Sequence, residues 1–154
     1  MRLQTIEQVE RRFHSAEAAL ADMSTRREFA ELALDWTRFL NALDDGLSRL
    51  ISGAQTDAAS RRWFAARTKE RRVDPLLSYL REARNTPEHG LHPTGKEVDM
   101  VLAKLVRIYN ARSRIWFEAP TSHLGDSIPD TTPVKTAELA LKYLGTLISE
   151  CKSG

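Results

Sequence analysis

Arg84, Asn85 and His89 are the residues of this chain whose types and spacing could do chemistry. A guanidinium keeps its charge, and its planar fork can bond two oxygens of a phosphate. An imidazole can take or give a proton near neutrality. An amide beside them can donate a hydrogen bond or orient the arginine. Arg84 is out of place on a plain helical reading. Leu77 precedes it by seven residues and Val73 by eleven. In a regular helix Arg84 falls within about 20° of both, so it extends an otherwise apolar stripe. Such an arginine is usually paired or faces a cleft. The structural alternative is an arginine that bonds a carboxylate or the carbonyls of a helix end. Pro87 lies between Arg84 and His89. Residues five apart in an unbroken helix diverge by about 140°. The proline either turns His89 back toward Arg84 or sends it away.

The grouping Arg84-Asn85-x-x-x-His89 resembles the signature of the HEPN superfamily, small helical-bundle domains of prokaryotes and eukaryotes. That signature is an arginine, commonly a polar residue next, then a histidine a few positions on. The preceding string from Asp74 to Ala83 is also similar to bacterial HEPN-like proteins, and the resemblance spans roughly Phe29 to His92. Many such domains are metal-independent ribonucleases, often toxins or antiphage effectors. Others have lost activity and serve as binding modules. The resemblance therefore implies a metal-independent endoribonuclease that leaves a 2′,3′-cyclic phosphate. Arg84 would hold the scissile phosphate, His89 would act as acid and base, and Asn85 would assist. No cofactor is implied. A homodimer is, with both copies of Arg84 and His89 around one groove. An antitoxin-like protein partner would suit a toxin–antitoxin role. The contrasting reading is a non-catalytic helical module that binds a protein partner or a nucleotide, or a structural homodimer, in which Arg84 and His89 are polar groups at a helix end.

A second signal lies upstream. Arg61, Arg62, Arg67, Lys69, Arg71 and Arg72 stand against one acid, Glu70. Net charge is only +2, but phosphate binding depends on local clusters more than on the whole-chain sum. These six are the candidate RNA contacts, with a solvated basic face as the plain alternative. Trp63 and Phe64 inside the run could stack on bases, although tucking into the core is the expected fate. Glu88, His89 and His92 lack a cysteine or a continued helix to complete a zinc set, so no metal site is expected. Ser122 beside His123 makes no triad, since there is no nucleophile elbow. His14 reads as surface or interface, and Cys151 as a small buried apolar residue.

The elements that must position these residues read as an all-α bundle of about four or five helices, with a small β-hairpin before the last. Ile6, Val9, Phe13, Ala16 and Leu20 form a helical stripe between Thr5 and about Asp22, started by a capping box of Thr5 and Gln8. Thr25 and Glu28 predict a second capping box. Behind it Phe29, Trp36, Leu43 and Leu50 repeat every seven residues, with Ala33, Leu40 and Leu47 between them. A seam of that length must pack along another helix, in this chain or in a dimer. Gly53 is a stop, and a loop is expected from Ser52 to Ser60. Asp74-Pro75 predicts an N-cap and first helical residue, with Val73, Leu77 and Leu80 on one face. Pro87 and Gly90 end that helix. Thr94 and Glu97 could cap another segment. Val98 to Tyr109 is apolar at both periods, and a hairpin is favoured between about Leu102 and Phe117. A proline-rich loop from Ala119 to Pro133 precedes a last helix opened by Thr132-Pro133.

Length and composition fit one domain, residues 1–154: 42% of residues are hydrophobic and 29% charged. A single cysteine cannot form an internal disulfide. The polar N-terminus and the lack of any apolar run near the ~20 residues of a membrane span make the cytoplasm the expected location.

Overall fold

A computed structural model describes residues 1–25, 28–87, 89–93, 103–120, 122–123, 126–127 and 132–154. It is a largely all-α assembly of five helices among the described residues, with short antiparallel strand pairs between the last two. Helix α1 spans Leu3–Thr25 and α2 spans Phe29–Ala54. They run antiparallel along their length. Thr5 meets Gly53, Arg12 pairs with Asp45 at 2.7 Å, and Arg38 reaches Asp22 at 3.1 Å. These contacts use Arg38, Asp45 and Gly53, which lie off the heptad seam; the seam residues Leu40, Leu43 and Leu47 face Leu77 and Leu80 of the same chain. Trp36, Phe39, Leu40, Leu43, Leu47 and Leu50 of α2 and Val9, Ala16, Ala19 and Met23 of α1 are buried in one core.

The capping box predicted for α2 does not form. Thr25 is the last residue of α1, where its hydroxyl donates to the carbonyl of Asp22 (3.0 Å). Glu28 takes the N-cap position with no side-chain cap bond. A missing cap costs about 1 kcal/mol. Each fully buried leucine or phenylalanine returns about 2 kcal/mol, so the seam outweighs the weak start. Thr5 likewise lies inside α1, not at its N-terminus.

The expected loop at Ser52–Ser60 shrinks to three residues, because α2 runs to Ala54 and α3 covers Ala58–Val73. The Asp57 side chain caps α3 by accepting from the N–H of Ser60 (2.7 Å). Helix α4, Pro75–Asn85, follows at once. Asp74 accepts from the N–H of Leu77 (3.0 Å), and Pro75 takes the first helical position where it needs no hydrogen bond. Leu76, Leu77, Tyr79, Leu80 and Ala83 are buried, whereas Val73 is exposed, since the bend at Asp74 carries it off the α4 stripe. The last helix, α5 (Pro133–Ser153), is capped by Thr132 and packs on α1. Its buried face includes Ala137, Ala140, Leu144 and Leu147.

The predicted hairpin is shorter than expected. Strands β3 (Ile108–Asn110) and β4 (Ile115–Phe117) pair with each other. Residues Ala103–Leu105, strand β2, pair instead with β1, Leu91–Pro93. A further pair, β5 (Ser122–His123) and β6 (Asp126–Ser127), lies within the stretch read as loop. The expected cap at Thr94 and Glu97 falls outside the described residues. No helix among the described residues is long and apolar enough to cross a membrane.

Candidate functional site

The end of α4 carries the Arg84-Asn85-x-x-x-His89 segment. Helical bonding stops at Asn85, and Thr86 closes the helix with its N–H on the carbonyl of Ala83 (3.2 Å) and its hydroxyl on that of Glu82 (2.8 Å). Pro87 follows. The N–H of His89 then donates back to the carbonyl of Thr86 (2.9 Å), and His89 and Gly90 adopt φ of 51° and 70°. This reversal folds the histidine ring back on the helix end, where Nδ1 meets the carbonyl oxygen of Ala83 at 3.2 Å. A carbonyl only accepts, so Nδ1 carries the proton in the neutral ring. Nε2 is left as the basic nitrogen. The buried Trp36 holds the turn from below by donating Nε1–H to the carbonyl of His89 (2.9 Å).

Arg84 leaves the helix in another direction. Its Nε lies 3.3 Å from a carboxylate oxygen of Asp44 on α2, and its Nη1 donates to Oδ1 of Asn85 (3.2 Å). Asn85 therefore orients the arginine. Both members of the Arg84–Asp44 pair are about half exposed, so the pair is weak and exchangeable. No hydrogen bond or ion pair joins Arg84 to His89 among the described residues.

Arg84 borders a shallow groove between α2 and α4. Leu40, Leu43 and Leu47 of α2 and Leu77 and Leu80 of α4 form its floor. Arg71, Arg81, Arg84 and Asp44 form its rim, three guanidinium groups to one carboxylate. The Arg71 guanidinium makes no hydrogen bond or ion pair among the described residues, and burial pulls it below the ordinary value while Tyr143 and Asp44 oppose that shift. Its charge is only partly balanced. The groove encloses only about 20 Å³, and Arg81 also lies 3.6 Å from Glu82, so an anion would meet these guanidinium groups at the rim and not inside the groove.

The basic side chains of α3 are divided among different surroundings. Arg67 is engaged by Glu70 (3.0 Å) and by Glu150 of α5 (2.7 Å). Trp63 also donates to Glu150 (2.9 Å), and Phe64 is buried, so both aromatics serve the packing. Arg71 turns to the groove. Arg61, Lys69 and Arg72 share an open face with Thr68 and Ala65, and Arg62 is exposed. His92 is exposed on β1, and Glu88 lies outside the described residues. The described residues hold no group of three metal-type ligands.

Sequence reasoning missed Asp44 and Arg81. Asp44 lies forty residues from Arg84, and only tertiary packing brings them together. Arg81 could have been found from spacing, since it sits one turn before Arg84 on the same helix. Comparison with family models, curated proteins and solved structures finds no match to this chain.

Proposed function

We propose that this chain is an HEPN-like, RNA-directed protein that works as a homodimer and cleaves RNA without a metal. The observation that carries the reading is the α2–α4 groove, where Arg84 of the motif stands with Arg71 and Arg81 over an apolar floor. The guanidinium groups hold a phosphate of the RNA, and Asn85 keeps Arg84 aimed. The tautomer imposed by the Ala83 carbonyl leaves His89 Nε2 ready to accept the 2′-hydroxyl proton. The 2′-oxygen then attacks phosphorus. The 5′-oxygen leaves with a proton supplied by the imidazolium of the second copy, and a 2′,3′-cyclic phosphate remains. The dimer supplies the geometry that one copy lacks, since Arg84 and His89 hold separate partners within the chain.

The test is RNA cleavage in EDTA. The wild-type chain releases 2′,3′-cyclic ends, and His89→Ala and Arg84→Ala each lower the rate at least about a hundredfold with unchanged circular dichroism. Equal rates in all three proteins contradict the reading.

A second reading is a non-catalytic binding module. The Arg84–Asp44 pair favours it, because a carboxylate of the same chain already engages the arginine. It predicts that the wild-type chain leaves RNA intact.

A further inference from the structure

The β3–β4 hairpin turns two large aromatic rings to solvent, and nothing in the Arg84 groove uses them. Register pairs Ile108 with Phe117 and Tyr109 with Trp116. Side chains alternate across a strand, so Ile108 and Phe117 face inward while Tyr109 and Trp116 face outward. Ile108 is buried and Phe117 packs on the core, but Tyr109 and Trp116 are 47% and 50% exposed. The outward rings lie side by side, with centroids 4.9 Å apart at 46°. The guanidinium of Arg107 sits 4.2 Å from the centre of the Trp116 ring.

The hairpin is a firm frame. Asn110 Oδ1 accepts from the N–H groups of Arg112 (3.0 Å) and Ser113 (3.1 Å), which closes the turn. Its Nδ2 donates to Glu82 of α4 (2.9 Å), which ties the turn to the bundle. The described residues 103–117 carry Lys104, Arg107, Arg112 and Arg114, all exposed, and no acid. Glu118 stands at the edge. Half-exposed aromatic rings flanked by arginines suit a ligand that is flat, apolar on its faces and negatively charged along its backbone. An unpaired polynucleotide strand has that chemistry, because its bases stack on rings while its phosphates meet the cations. A duplex hides its base faces.

We propose that the outer face of the β3–β4 hairpin, Tyr109 and Trp116 with Arg107, Arg112 and Arg114, is a stacking platform for single-stranded RNA. Trp116 and Tyr109 receive bases, and the arginines hold the flanking phosphates. The choice of RNA over DNA rests on the function proposed above; the preference for an unpaired strand rests on the hairpin alone.

The test is fluorescence anisotropy with a labelled oligouridylate of about 12 nucleotides, a length within the usual span of such sites. Trp116→Ala in the full chain weakens binding about tenfold, and Trp116→Phe, which keeps a ring, restores most of it. Arg112→Glu, in an exposed turn, weakens binding and flattens its salt dependence without touching the ring pair. Undiminished binding by Trp116→Ala overturns the platform, as does equal competition by duplex RNA. So does self-association that Trp116→Ala abolishes, which would make the face a contact between copies. Arg84→Ala separates the two proposals. If it abolishes cleavage while the hairpin variants bind normally, the groove stands and the platform fails. If the hairpin variants lose binding and no protein cleaves, the platform stands and the nuclease reading fails.

Discussion

His89 and Gly90 occupy the left-handed region one after the other, and the aim of the imidazole depends on that turn. Only glycine adopts such a backbone without penalty. A Cβ at Gly90 would also collide with the Tyr79 hydroxyl and the Ile108 side chain. That hydroxyl shares its one proton between the carbonyls of Gly90 (3.0 Å) and Val106 (2.8 Å), and burial raises its pKa, so it stays a donor. We expect Gly90→Ala to cost at least about 2 kcal/mol, measured by urea unfolding, and to disturb the site more than a surface change would. A loss below about 0.5 kcal/mol, the range of ordinary surface substitutions, would mean that the turn is not held this way. Asp44 sets the charge of the groove. Asp44→Asn removes the carboxylate that competes for Arg84, so RNA affinity should rise several-fold in anisotropy titrations. Unchanged affinity would mark the Arg84–Asp44 pair as purely structural. At this scale the sequence was half legible. Arg84 stood out because it extends an otherwise apolar stripe, and Pro87 marked a break in the helix. The direction of the reversal was not readable, because it depends on the Thr86 carbonyl, the φ of His89 and the Trp36 indole fifty-three residues away.

The helices are held by their starts as well as by their stripes. Hydrogen bonds from the Ser60 hydroxyl and N–H, with the Met1 ammonium close by, hold the Asp57 carboxyl well below the usual carboxylate range. A carboxyl with a depressed folded pKa adds stability that is complete above its unfolded value and is lost as pH falls through the folded one. Wild type should therefore lose more stability than Asp57→Asn between about pH 5 and pH 2, by urea unfolding at each pH. Parallel losses would contradict that account of the α3 start. Elements were the most legible scale where periodicity was strong. The α2 seam, the Asp74-Pro75 start and the Thr132-Pro133 start follow from spacing and local hydrogen bonding. Legibility failed where the partner was distant. The stretch from Val98 to Tyr109 reads as apolar at both periods, and nothing local says that residues 103–105 within it pair with Leu91–Pro93. The Thr25–Glu28 pattern misled because α1 continues through Thr25, so a residue suited to capping ends one helix and does not begin the next.

For the whole molecule, the antiparallel α1–α2 pair with α5 provides the frame, and α4 holds both candidate surfaces to it. The groove opens between α4 and α2, while the β3–β4 hairpin is tied to α4 through Asn110 and Glu82. A strand bound on the hairpin would thus be anchored to the helix that carries Arg84. Burial of the heptad seam inside one chain means that the proposed dimer must use another face. The central claim is that Arg84 and His89 act on one RNA phosphate. The most direct measurement is the analysis of RNA ends after incubation with the chain in EDTA, beside Arg84→Ala and His89→Ala of verified fold. The account predicts 2′,3′-cyclic phosphate ends from the wild type alone. Cleavage that survives both substitutions, or intact RNA in every reaction, would contradict it.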